Sequence, residues 1–253
     1  MGPKEQLALW HVATASVLCL VVVAAGMLDG VTVEVGYGHY AEPPVPWLPP
    51  MLAMPCNSLV NLAYMALGWC WFPRDGAGSS RYLQAVFALM ALGYGPVQWA
   101  RLWTQHPQTA VLDQWVTLPI FAWAGLWCYV LAWGWRPGQA VLVVGVSLVS
   151  YSMALAHPCG FELALAVHVV AVAGAVWQAQ RRLGDVDSAW TVVAGFAACL
   201  GFVVLKLADR WLAQWAPFQR FTGHFWSKVC DVLQFHCVFL FATRLGPRGC
   251  PAP

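Results

Sequence analysis

The chain has 253 residues, 60% of them hydrophobic and only 9% charged, against about 25% charged in an ordinary soluble domain. With a mean hydropathy of +0.62 it is read as an integral membrane protein whose surroundings are membrane lipids. The formal charge of +2 is too small for a nucleic-acid-binding surface, which excludes that class of partner.

A spanning helix needs about 20 mainly apolar residues, and eight runs are assigned. The first, 7–28, is read as an uncleaved span rather than a signal peptide. The preceding MGPKEQ holds one Lys and one Glu, and the run is long for a signal. A Pro-rich connection without Lys or Arg follows over 29–49. The next runs are 51–72, 82–103 and 111–133, then 140–156 and 161–178, separated only by His157–Gly160. The last two are 190–207 and 221–244. The expected fold is all-α, a polytopic membrane bundle of seven core spans plus an extra N-terminal span, forming one domain over 1–253. The cysteines lie mostly in apolar runs, as buried small hydrophobes; Cys56 and Cys159 are the one candidate disulfide pair.

Lys and Arg fix the expected orientation. With the N-terminus inside, Lys4, Arg74, Arg81, Arg136, Arg181, Arg182, Arg244 and Arg248 lie inside. Outside lie Arg101, Lys206, Arg210 and Arg220, while Lys228 is within a span. Both termini are therefore expected in the cytoplasm.

On this topology the polar groups of the spans collect at the outer end. Asn57, Ser58 and Asn61 come from the second run, Gln98 and Arg101 from the third, and Asp113 opens the fourth. Asp209 follows the seventh, and His224, Lys228 and Asp231 recur at i, i+4 and i+7 on one face of the eighth. These ten are the candidate pocket residues, because ionisable groups inside a bundle are expensive and commonly functional. Each also has a plainer role open to it. Asn57 and Asn61 can hydrogen-bond neighbouring helices, Asp113 can complement a helix dipole, and Arg101 can pair with Asp113. Lys228 and Asp231 can neutralise each other, and His168, mid-span, is read as a satisfied core histidine. The inner half is nearly apolar apart from Gln234 and His236. No H-E-x-x-H, G-x-S-x-G, P-loop or dinucleotide motif occurs.

The segments AMPCNSLVNLAY, YGPVQWARLWTQ, AVLDQWVTLPIFAW, CLGFVVLKLADRW and TGHFWSKVCDVLQFH resemble the mammalian transmembrane protein 187 family over nearly the whole chain. That resemblance implies a multi-pass membrane protein and no particular activity. More remotely, PCNSLVN, LDQWVTLPIF, LGFVVLKLAD and TGHFWSK are similar in order to the seven-span alkaline ceramidases and the progestin and adiponectin receptors. This second resemblance implies a zinc site near Asn57, Ser58, Asn61, Asp113, Asp209 and His224. Lys228 then stands where the family places a second histidine of the last span, and Gln98 or Arg101 where it places another. With those histidines replaced, no catalytic residue and no cofactor are assigned; His224 and Asp113 are the ligands if zinc binds. The resulting expectation is a non-enzymatic or catalytically degenerate protein that binds a lipid or other amphipath in a lipid-sized pocket. The alternatives are a metal-dependent hydrolase of lipid amides or esters, and a transporter.

Overall fold

The structure is a computed structural model that describes residues 2–73 and 79–249. It is all-helical, with no strand among the described residues. Helix α1 spans Pro3–Ala24, with Pro at its first turn, where the missing N–H costs nothing. A long connection over 25–54 follows, punctuated by Pro43, Pro44, Pro46, Pro49 and Pro50, which deny it regular hydrogen bonding. The second apolar run is divided into α2 (Pro55–Leu59) and α3 (Asn61–Trp71). Helices α4 (Ser79–Thr104) and α5 (Pro107–Trp133) form a long hairpin. The fifth run is also divided, into α6 (Pro137–Ser150) and α7 (Met153–Ala156). Then come α8 (Gly160–Leu183), α9 (Val186–Leu207), the single turn α10 (Asp209–Leu212) and α11 (Gly223–Gly249). A capping box starts α9, where Asp185 and Ser188 exchange side-chain-to-backbone bonds of 2.8 Å.

Among the described residues, six helices are long and apolar enough to cross a membrane: α1, α5, the continuous pair α6–α7, α8, α9 and α11. Burial separates their roles. Of the most apolar window of α5, 78% is buried, against 11% for α8 and 17% for α1 and for α9. Helix α5 is therefore the central post, packed on α4, α8, α6, α1 and α11. The outer helices turn Trp10, Val141, Val170 and Leu200 outward. Apolar surface on that scale is stable only against lipid. The divided α2–α3 pair packs with one face on α4 and α11 and leaves Leu59, Leu62 and Trp69 exposed on the other. The contact of α3 with α4 is close: Gly68 of α3 abuts the backbone of Ala88 and Leu92, and Gly95 of α4 abuts the backbone of Asn61.

Several expectations change. The run 51–72 is not one helix but α2 and α3, divided at Val60, whereas 140–156 remains one continuous span with an irregular turn at Tyr151–Ser152. Cys56 and Cys159 are free thiols, not a disulfide pair. Arg74, counted in the charge bias, lies outside the described residues. At the end of the bundle away from Arg101 and Asp113, the buried Glu5 of α1 pairs with Arg81 of α4, an ion pair that the charge count alone did not reveal. His168 is satisfied as expected: Nδ1 bonds the Ala164 carbonyl at 2.7 Å and Nε2 the Ser147 hydroxyl at 3.0 Å.

Candidate functional site

The polar residues that the sequence places at the outer end divide into two groups, those that line a chamber and those buried around it. Asn57, Gln98, Arg101, Asp113, His224 and Lys228 line one small enclosed cavity. Ser58, Asn61, Asp209 and Asp231 do not.

Those four hold the frame. Asn61 sits just past the break between α2 and α3 and donates to the carbonyls of Asn57 (3.0 Å) and Ser58 (3.2 Å). It thereby satisfies groups that the broken helix leaves open. Ser58 is buried on the same turn. Asp209 accepts from the backbone N–H of His224 at 2.8 Å and of Ala41 at 3.2 Å. One carboxylate thus caps the start of α11 and staples the 25–54 connection to it. Asp231 accepts from the Tyr64 hydroxyl at 2.6 Å and makes no ion pair with Lys228 among the described residues. An Asp209→Ala variant is expected to lose about 1–2 kcal/mol, the usual worth of a strong cap, and to be cut faster by protease within 25–54. Thermal unfolding and limited proteolysis in detergent check this, and wild-type behaviour in both would refute the capping role.

The chamber itself is small. It has room for one or two waters, far less than the expected lipid-sized pocket. A more spacious cleft lies at the opposite end beside His11, Tyr82 and Trp135.

One wall is the α4–α5 hairpin, where Arg101 donates to Asp113 at 2.8 Å, both side chains being largely buried. The opposite wall is α11. Lys228 lies one turn below His224 on it, 8% exposed. Its ammonium stands 5.8 Å from the Tyr94 ring and 5.7 Å from the Phe202 ring. These are cation–π distances, but Lys228 makes no ion pair among the described residues. Asn57 closes one side, and neither its amide nitrogen nor its oxygen finds a partner. Gln98 Nε2 and Asp113 Oδ1 are likewise buried without partners.

Four lining residues lie outside the sequence-based set: the apolar Leu102, and three that carry polar groups, His39, Tyr40 and Lys206. His39 and Tyr40 belong to the 25–54 connection, which folds over the chamber as a strap. Arg101 and Arg210 hold it through the carbonyls of Glu34 (3.3 Å) and Gly38 (3.2 Å). Glu42 anchors its far end by accepting from Cys56 N (2.9 Å) and Asn57 N (2.8 Å), the open donors at the start of α2. The Tyr40 ring meets His224 edge-on at 4.8 Å, and His39 bonds Glu34 at 2.5 Å. Burial pushes the Tyr40 phenol up to about 12, so at neutral pH it keeps its proton. Burial and then Arg101 hold His39 below the usual imidazole range, so it is neutral there. Lys206, in the last turn of α9, has an exposed stem and turns its ammonium inward, 5.7 Å from the Phe202 ring, as long cationic side chains do at interfaces. The only lead to these three in the sequence was the position of Lys206 one turn before Asp209.

Catalytic zinc needs three protein ligands and an open position. Among the described residues no three His, Cys, Asp or Glu side chains come together in a metal-holding group. His224 faces Tyr40 and shares its wall with a cation, and Asp113 is engaged by Arg101. The residues present do not fit the zinc that the ceramidase resemblance implies.

No solved structure matches this chain. The sequence profile of the TMEM187 protein family matches residues 8–243. Human transmembrane protein 187 is 56% identical over 256 residues, covering 100% of this chain and 98% of that protein. The Bos taurus transmembrane protein 187 is 54% identical over 253 residues, covering 97% and 99%. With the matched span running from the first helix to the last, the chain belongs to the transmembrane protein 187 family.

Proposed function

We propose that this multi-pass membrane protein is a binding protein, not a hydrolase, and that its outer chamber receives the polar head of an amphipathic molecule. The observation that carries this reading is Asn57. It is 1% exposed, lines the chamber, and has both side-chain polar atoms without partners. An unsatisfied buried polar group costs about 1–3 kcal/mol, a cost that a purely structural site avoids by using an apolar residue. The strap is the way in: a head group enters when it lifts, and the tail remains among the lipid-facing helices. On the charge bias the chamber lies on the extracytoplasmic side, with both termini in the cytoplasm.

Hydrolysis by a metal lacks its ligand set. Transport through the bundle is opposed by the chamber floor, where Tyr64 packs edge-on against Tyr94 (5.2 Å) and Phe235 (5.6 Å), and Phe87 stacks on Phe235 at 5.3 Å. The relation to seven-span ceramidases rests on the four short motifs alone.

The test is Asn57→Leu. Removing the two unpartnered atoms should leave the fold as stable or raise its stability by about 1 kcal/mol, while mass spectrometry of extracts from the purified protein should show a bound molecule lost from the variant. If the variant is less stable and the extracts are identical, Asn57 is structural and the proposal fails.

A further inference from the structure

Resting on that reading, we infer that the chamber selects an oxyanion, a carboxylate or a phosphate, through Lys228 and Lys206. The charges that line it do not balance. Arg101 is spent on Asp113. Lys228 and Lys206 remain, and among the described residues neither forms an ion pair. Asp113 and Asp231 act on Lys228 at longer range, yet Asp231 is held by the Tyr64 hydroxyl and does not line the cavity. Three cations therefore face one lining carboxylate. His39 and His224 also line the chamber, and neither imidazole can supply a negative charge to offset that excess.

An ammonium 92% removed from solvent by its 8% exposure is a costly feature when unpaired, because burial strips its hydration and nothing replaces it. A bound anion supplies the missing counter-charge. The neutral groups are consistent with this. Gln98 Nε2 and Asn57 Nδ2 are unpartnered donors on the same cavity, suited to the remaining lone pairs of an oxyanion. Two acceptors, Asn57 Oδ1 and Asp113 Oδ1, are unpartnered as well. They call for a donor on the ligand, so the head group carries a hydroxyl or N–H beside the anion, or is a phosphate that keeps one proton. The chamber has room for one or two waters, less than a carboxylate or phosphate fills, so the head group enters only as the strap lifts, with any tail left outside.

The experiment uses the full chain purified in an uncharged detergent and titrated calorimetrically with four probes: decyl phosphate, decanoate, inorganic phosphate and the neutral decanol. Lys228→Met is titrated alongside. Because it removes an unpaired buried charge for an apolar side chain of similar length, it should fold at least as well as wild type by thermal unfolding. Lys206→Gln, altered at a residue with an exposed stem, is the second variant in case the first fails to fold. The expected result is binding of decyl phosphate or decanoate, weakened about tenfold or more in either variant by loss of a charge-assisted contact, with decanol much weaker. Inorganic phosphate binding as tightly as decyl phosphate would keep the oxyanion and overturn the amphipath, making the source a free anion. Equal binding of decanol and decanoate, unaffected by either variant, would overturn the oxyanion and leave the amphipath standing. No binding by any probe would overturn both.

Discussion

Replacing Arg101 with Met is expected to cost about 3–5 kcal/mol of stability, the range measured when one partner of a buried ion pair is removed. Arg101 is 13% exposed and Asp113 11%, so neither charge can rely on bulk water once the other is gone. The loss is sharpened by the condition of Asp113. Its Oδ2 takes the guanidinium at 2.8 Å, and its Oδ1 has no partner, so the variant leaves a carboxylate with neither oxygen bonded. It also releases the Glu34 carbonyl, one of the ties on the strap. The double variant Arg101→Met/Asp113→Leu should recover most of the loss, since a buried pair exchanged for apolar side chains is commonly neutral or better. A thermal or denaturant double-mutant cycle in detergent measures the coupling. If Arg101→Met lies within about 0.5 kcal/mol of wild type, as a surface substitution would, the pair is not a structural element of the chamber wall.

That pair was readable in the sequence, and the reason shows where sequence reading stops. Arg101 and Asp113 flank a short hairpin, so their meeting follows from local geometry and charge. The same holds for the helices: each apolar run became helical, and the polar residues collected at one end as the alternating topology required. What periodicity cannot separate is a polar residue that faces a chamber from one that closes a helix end, because both tasks use Asn, Asp and Ser. Asn57 and Asn61 are one turn apart in similar surroundings. Asn61 closes the break after Leu59, and Asn57 is left without a partner. Asp209 was drawn into the candidate set by the same ambiguity, and Asp231 because helical spacing puts it on the face of His224 and Lys228 although its carboxylate is taken by the Tyr64 hydroxyl. The strap was hidden for a different reason. His39, Tyr40 and Glu42 lie in a Pro-rich connection with no repeat, and Glu42 caps a helix 14 residues downstream, a contact fixed only by tertiary folding. Lys206 was assigned to the bundle's outer rim from its place in α9, and only the folded structure brings it to the chamber wall, with its ammonium 5.7 Å from the Phe202 ring.

Gly68→Ala and Gly93→Ala are expected to change stability in opposite directions, although they concern neighbouring helices and the same added methyl. A Cβ at Gly68 would lie 2.5 Å from the Ala88 carbonyl oxygen and 2.7 Å from the Leu92 nitrogen. Both are backbone atoms, which cannot rotate aside as a side chain would, so α3 and α4 must separate. Forcing atoms into so tight a contact costs about 1–3 kcal/mol and at times more. Small residues hold membrane helices together because they permit this approach. At Gly93 a Cβ meets nothing within 4 Å, and replacing a helix-interior glycine by alanine there should gain about 0.5–1 kcal/mol. The difference also reaches the chamber. Gly68 shares the α2–α3 segment with Asn57 and Asn61, and α4 carries Gln98 and Arg101, so parting the two helices moves opposite walls of the site. Gly68→Ala should therefore lower both the unfolding temperature and the affinity for an anionic amphipath, while Gly93→Ala raises the first and leaves the second unchanged. Equal effects of the two substitutions would show that the α3–α4 approach does not set the chamber's geometry.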